Sequence, residues 1–292
     1  MLRPQVYVYL ARRLNSQFLI IASGNTLLRS LMTSASMGPV KESLDNARSE
    51  LKLIPSTEKH WLCSGNRSVA IAATLLQQSK VIAMPTDTVY GFAASASDVE
   101  AIQRLYDIKK RVESKPLAIC LSNVDEVTQW AVTNELPPLL LEKLLPGPYT
   151  VILKRKPSLN PALNPGTDSV GIRVPNSKFI RSVAKIIGPI ALTSANVSKE
   201  PSSLHPDEFS TLWPELDGIF YAITNTMKKK DARRVGSTVV DLSQPGCYEI
   251  VRNGIAARII SGILKKAGLR KVQLNDTTTC DCQVADINTC KV

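Results

Sequence analysis

Val81-Ile82-Ala83-Met84-Pro85-Thr86-Asp87-Thr88-Val89-Tyr90-Gly91 decides the fold class. An apolar run of four stops at a proline and gives way to small polar residues. It reads as a buried strand feeding a turn. Strands of an α/β sheet are covered on both faces, so ligands gather where their carboxyl ends emerge. Downstream, Ser97-Asp98-Val99-Glu100 fits an S-x-x-E capping box, and Val99, Ile102, Leu105 and Tyr106 follow helical spacing. The helix runs into Lys109, Lys110, Arg111 and Lys115, just before Pro116 opens a second apolar strand, Leu117 to Leu121. Proline disfavours helical geometry in the residue before it, which puts Lys115 in an extended loop. Hydroxyls at one strand exit and cations entering the next suit a phosphate group. Cations at a helix C-terminus equally suit the macrodipole and a solvated face.

Working outward, Ser68 to Gln78 has a helical face ahead of the first strand. Helical patterns follow at Val124 to Ala131, Pro138 to Leu145, Phe179 to Ile187, Pro206 to Trp213 and Ile255 to Ala267. Strand patterns fall at Tyr149 to Leu153, Val170 to Val174, Ile190 to Leu192, Gly218 to Ile223, Ser237 to Leu242 and Tyr248 to Arg252. The alternation predicts an α/β domain. Ile190-Ala191-Leu192 again runs into small polar residues, Thr193-Ser194-Ala195-Asn196, repeating the logic of the first exit. Two such exits with a cationic loop between them suggest the walls of one cleft. Arg173 sits inside an apolar run, where it faces either a carboxylate of the protein or an anionic ligand.

The chain of 292 residues carries a formal charge of +11, which favours anionic partners. Part of that excess has another origin. Residues 1–41 contain no Asp or Glu and five cations (Arg3, Arg12, Arg13, Arg29, Lys41), leaving +6 for the remainder. Arginine-rich, serine-containing and acid-free is how a mitochondrial transit peptide reads. The longest apolar run there, Phe18 to Ala22, is far short of the roughly 20 residues a span requires. A mixed-charge linker is expected over 42–59, one domain over 60–268, and a disordered tail over 269–292. In the tail Cys280, Cys282 and Cys290 lack a fourth ligand and match zinc spacing poorly. Only His60 and His205 are present, without H-E-x-x-H or G-x-S-x-G, and neither phosphate-loop glycine motif occurs. Any nucleotide site has to use scattered lysines, arginines and hydroxyls.

Pro85 to Gly91, followed by Lys109-Lys110-Arg111 and Lys115-Pro116-Leu117, resembles the signature of the YrdC family of threonylcarbamoyl-AMP synthases. Further blocks in family order are Pro146 to Thr150, Gly171 to Pro175, Thr193 to Ser198, Gly236 to Asp241 and Arg252-Asn253-Gly254, so the likeness covers about Ser68 to Ile255. It implies a single α/β domain with a twisted sheet, largely parallel or mixed, flanked by helices around a basic cleft. The implied reaction joins L-threonine, bicarbonate and ATP into threonylcarbamoyl-AMP and pyrophosphate. The product then passes to a separate transferase that modifies adenosine 37 of ANN-decoding tRNAs. The resemblance assigns Lys109, Arg111, Lys115, Thr150, Asn196 and Arg252 to ATP, with charge stabilisation by Lys109 and Arg111. It assigns Thr88, Arg173, Ser194 and Ser237 to L-threonine. Mg2+ is expected on the ATP phosphates, tRNA itself is a candidate contact, and the compartments are mitochondrion and cytoplasm.

The chain departs from the family pattern at Phe92 (usually Leu), Lys110 (usually Gly), Cys120 (His in bacterial members) and Lys199 (usually Gly). It departs again over Ile223 to Arg234, where a Gly-rich turn is usual. A non-catalytic RNA-binding or regulatory protein using the same cleft is the alternative, although 5% aromatic residues supply few base-stacking platforms. Removing residues 1–41 should abolish import into isolated mitochondria while sparing activity in vitro; import that survives the deletion would refute the transit reading.

Overall fold

The computed structural model describes residues 59–109, 116–196, 200–222 and 234–272. The expected leader, most of the linker, Arg111, Lys115, Lys199, residues 223–233 and the cysteine-bearing tail lie outside the described residues.

Among the described residues eleven strands form one mixed sheet: β1 (His60–Leu62), β2 (Ile82–Met84), β3 (Gly91–Ser95), β4 (Ala118–Cys120), β5 (Tyr149–Lys154), β6 (Ser169–Arg173), β7 (Ile190–Ser194), β8 (Gly218–Tyr221), β9 (Thr238–Asp241), β10 (Cys247–Arg252) and β11 (Arg270–Lys271). Their spatial order is β1-β8-β2-β3-β7-β4-β6-β5-β9-β10-β11. Of the two sheet forms expected, the mixed one is observed. β7 runs antiparallel to both of its neighbours, β3 and β4.

Strand β3 departs from the sequence reading, which passes from the turn at Val89-Tyr90-Gly91 straight to a helix. Gly-Phe-Ala-Ala-Ser lacks β-branched residues, so its local preference for a strand is weak. Pairing on both sides makes it one: Met84 pairs with Gly91, and Gly91 with Ser194. Alternation within it is strict, with Phe92 and Ala94 entering one core cluster and Ala93 the other. Gly91 is required by close approach, since a Cβ there would lie 2.9 Å from the Thr193 carbonyl oxygen. Two short edge strands, β1 and β11, also escape the periodicity reading. β11 pairs with β10 and carries the fold past the expected boundary at residue 268.

Helices α1 (Gly65–Gln77) and α5 (Lys178–Ile187) cover one face, packing Leu76, Ile180 and Val183 against Ile82, Ala93, Ile190 and Leu192. The opposite face is covered by α2 (Val99–Ile108), by α4 (Leu140–Leu144), which follows the short α3 (Val127–Trp130), and by α6 (Ala257–Lys266). Leu105 of α2 is fully buried, a contribution of about 1.5–3 kcal/mol.

The α2 cap differs from the S-x-x-E expectation. Asp98, not Ser97, is the N-cap: its Oδ1 accepts the Ala101 N–H at 3.0 Å, and its Oδ2 accepts the Ser79 hydroxyl at 2.5 Å. Burial pushes this carboxyl up, but the bonds from Ser79 and the helix amides outweigh it and hold it below the usual carboxylate range. Asp98→Ala should therefore lower stability by about 1 kcal/mol in urea denaturation while Ser97→Ala changes little. Because the native pKa is depressed, the cap's contribution is present above the unfolded value. The difference between wild type and Asp98→Ala should shrink as pH falls through the native pKa.

Candidate active site

The helices α1 and α5 cover their face only over part of the sheet. On β6 and β5 the same face carries Ser169, Gly171, Arg173, Thr150 and Lys154, with Ile152 as its apolar member. Side chains of paired strand residues share a face, so Ala118 and Cys120 of β4 lie beside Gly171 and Arg173 of β6. Val151 pairs with Ile172 in the other core, which places Thr150 beside Arg173 one step further along both strands. Gly171 keeps this floor low, since a Cβ there would come 3.0 Å from Thr150 Cγ2.

Thr150 begins a hydroxyl cluster. Its Oγ1 lies 2.7 Å from Ser237 Oγ, and Arg252 Nη2 donates to Ser237 Oγ at 3.0 Å and to its carbonyl at 2.9 Å. Register explains the meeting, because β5 and β9 are parallel neighbours with Thr150 opposite Val239. The turn after Arg252 depends on Gly254, where a Cβ would fall 2.1 Å from the Thr238 nitrogen.

The loop Pro85 to Tyr90 forms a second wall. Thr86 organises it, donating to the Val89 carbonyl at 2.7 Å, accepting the Thr88 N–H at 3.1 Å, and placing its hydroxyl 3.2 Å from Thr88 Oγ1. β3, β7 and β4 separate β2 from β6, which in a flat sheet amounts to about 19 Å. Yet Arg173 Nη2 donates to Asp87 Oδ1 at 2.8 Å and to Thr88 Oγ1 at 3.2 Å, so the loop arches over the sheet. Of the two partners open to Arg173 from sequence, the structure supplies the internal carboxylate. The pair is 7% and 8% exposed.

The two strand exits adjoin as expected. Ala195 N–H donates to the Tyr90 carbonyl at 2.8 Å, directly beyond the Gly91–Ser194 pair. Lys109 is placed differently from a solvated cation. It is 2% exposed, and its ammonium donates to the Ser194 carbonyl at 2.7 Å, to Asn196 Oδ1 at 3.2 Å and to the Asn196 carbonyl, with the Phe92 ring 6.0 Å away. It ties the end of α2 to the second exit.

Thr88, Thr150, Arg173, Ser194, Asn196, Ser237, Arg252 and Lys109 are thus placed in three hydrogen-bonded groups: Thr88 with Arg173, Thr150 with Ser237 and Arg252, and Lys109 with Ser194 and Asn196. Arg111 and Lys115 lie outside the described residues. Sequence reasoning missed Thr86 and Asp87 as organisers; the signal available was one acid inside a hydroxyl-rich turn, with an arginine inside an apolar strand run to answer it. Cys120 stays a neutral thiol, because burial raises its pKa to about 12 despite the Arg173 charge nearby. Among the described residues no group of three His, Cys, Asp or Glu could hold a metal ion.

A family model for Sua5/YciO/YrdC, described as "Telomere recombination", matches residues 74–254, more than half of the chain. The chain belongs to the Sua5/YciO/YrdC family. Among curated relatives, this family member is 45% identical over 199 residues to a bovine protein named threonylcarbamoyl-AMP synthase, covering 68% of this chain and 72% of the relative. It is 43% identical over 196 residues to a human protein of the same name, covering 67% and 70%. Among solved structures, Pyrococcus abyssi Sua5 complexed with L-threonine superposes with a TM-score of 0.62 at 25% identity. That match covers 73% of this chain and 62% of the archaeal one.

Lys109→Met should strip the Ser194 and Asn196 oxygens of their buried donor, an expected loss of about 1–3 kcal/mol measured by urea denaturation. Stability equal to wild type would show that the tie carries no weight.

Proposed function

We propose that this YrdC-family protein is an L-threonylcarbamoyladenylate synthase, a nucleotidyltransferase serving the N6-threonylcarbamoyl modification of ANN-decoding tRNAs. The observation that carries the reading is the 45% identity to a threonylcarbamoyl-AMP synthase over 199 residues, beside a family match over residues 74–254 that spans the strands and loops described above. The chemistry fits the groups at hand. The neutral amine of threonine captures bicarbonate as a carbamate, with loss of water. A carbamate oxygen then attacks the α-phosphorus of ATP, the bond to the bridging oxygen breaks, and pyrophosphate leaves. No protein nucleophile is needed, so positioning and charge neutralisation carry the rate.

Arg173 suits the threonine carboxylate, and Thr88, Ser194 and Ser237 suit its amine, hydroxyl or carbamate. Arg252, held beside Ser237 and Thr150, faces the same group of hydroxyls and suits the phosphates together with Asn196. Lys109, expected beside them from sequence, directs its donors to Ser194 and Asn196 and so orders that loop. Arg111 and Lys115 complete that set on sequence grounds. Mg2+ enters with ATP, since this ion is commonly bound through substrate phosphates and retained waters. We place the protein in mitochondrion and cytoplasm, delivering its product to a tRNA threonylcarbamoyl transferase.

Pyrophosphate release by the purified chain with ATP and Mg2+, omitting threonine and bicarbonate in turn, tests the reading. Release should require both. Release indifferent to threonine, or none under any combination by folded protein, would overturn it.

A further inference from the structure

We propose that Asp87 is a positioning residue for the amino-acid substrate, acting through Arg173. It anchors the guanidinium by Nη2 and so fixes the orientation in which the group meets the substrate carboxylate. The inference rests on the synthase reading and concerns the same site.

Arg173 projects from β6 onto the floor shared with Gly171 and Thr150, and it is buried. Its Nη2 has two hydrogens and two acceptors, Asp87 Oδ1 at 2.8 Å and Thr88 Oγ1 at 3.2 Å. Its Nε is buried and has no hydrogen-bond partner. Unmet buried donors are rare in folded proteins, because a desolvated N–H loses its water and gains nothing in exchange. Among the described residues Arg181 Nε and the Tyr248 hydroxyl are unmet as well; Arg173 Nε differs in belonging to the guanidinium that Asp87 and Thr88 hold beside Gly171 and Thr150.

Asp87 is itself held from the far side. Its Oδ2 accepts the Asn176 N–H at 2.9 Å, so the carboxylate bridges the arching loop and the chain leaving β6. A carboxylate fixed at both oxygens cannot follow the arginine, and the arginine therefore keeps one orientation before substrate arrives. The pair is neutral as a unit. What Asp87 supplies is direction for the guanidinium, and without it a long side chain would sample several rotamers and lose part of its grip on a ligand.

The test compares the full-length wild-type chain with Asp87→Asn, Asp87→Glu, Arg173→Ala and the double variant Asp87→Asn/Arg173→Ala. The threonine and ATP dependence of pyrophosphate release is measured alongside direct L-threonine binding by calorimetry. Asp87→Asn should raise the threonine KM about tenfold, leaving kcat and the ATP KM within about twofold. Asp87→Glu, which keeps the charge, should fall between. On the Arg173→Ala background Asp87→Asn should add nothing, because the two act as one unit. An unchanged threonine KM, an equal rise for threonine and ATP, or a full additional effect on that background would each overturn the inference. Should Asp87→Asn not fold, Asp87→Glu carries the same comparison. A wild-type chain that binds threonine without releasing pyrophosphate would sink the synthase reading alone, and calorimetry would still decide Asp87; a wild type that binds no threonine sinks the inference as well.

Discussion

The antiparallel pairing of β3 with β7 is the constraint on which the site depends. Gly91 opposite Ser194 places the exit of β7 against the return of the Pro85–Tyr90 loop. Two polar turns about a hundred residues apart in the chain thereby become neighbours. The pairing also explains the absence of a side chain at position 91, which faces the Thr193 carbonyl at a distance no Cβ tolerates. Lys109 then closes the arrangement from a third direction by donating to the carbonyls of Ser194 and Asn196.

Polar groups in the site are largely satisfied by one another. Thr150 meets Ser237, Ser237 accepts from Arg252, and Arg173 is neutralised by Asp87. Such a site is ordered before ligand arrives, so binding exchanges hydrogen bonds instead of creating them from water. Preformed donors and hydroxyls at fixed positions suit the reaction proposed for this chain, whose difficulty lies in orienting an amine, a carbonate and a triphosphate. Cys120, on the same face as Arg173, is kept a neutral thiol by burial.

Much of the architecture is legible in the sequence where local signals are strong. The apolar run ending at Pro85, the helix at 99–108 and the strand at 149–154 follow from periodicity and from proline placement. Strand β3 was not legible, because its small residues carry little preference of their own and the pairing on either side decides it. The α2 cap was misread by one residue for a related reason. Ser97 and Asp98 are both good caps, and the contact that favours Asp98 comes from Ser79, nineteen positions earlier.

By itself the sequence determined the order of elements, the two polar strand exits and the chemical types collected at them, since each is set by residues near in the chain. Its motif blocks also determined the family. Tertiary structure alone decided which of those groups meet. Arg173 finds Asp87 across 86 positions, and Thr150 finds Ser237 across 87. Such partners depend on strand order and register, and these are settled by the packing of apolar strand residues under helices on either side of the sheet, a condition that no local window of residues contains.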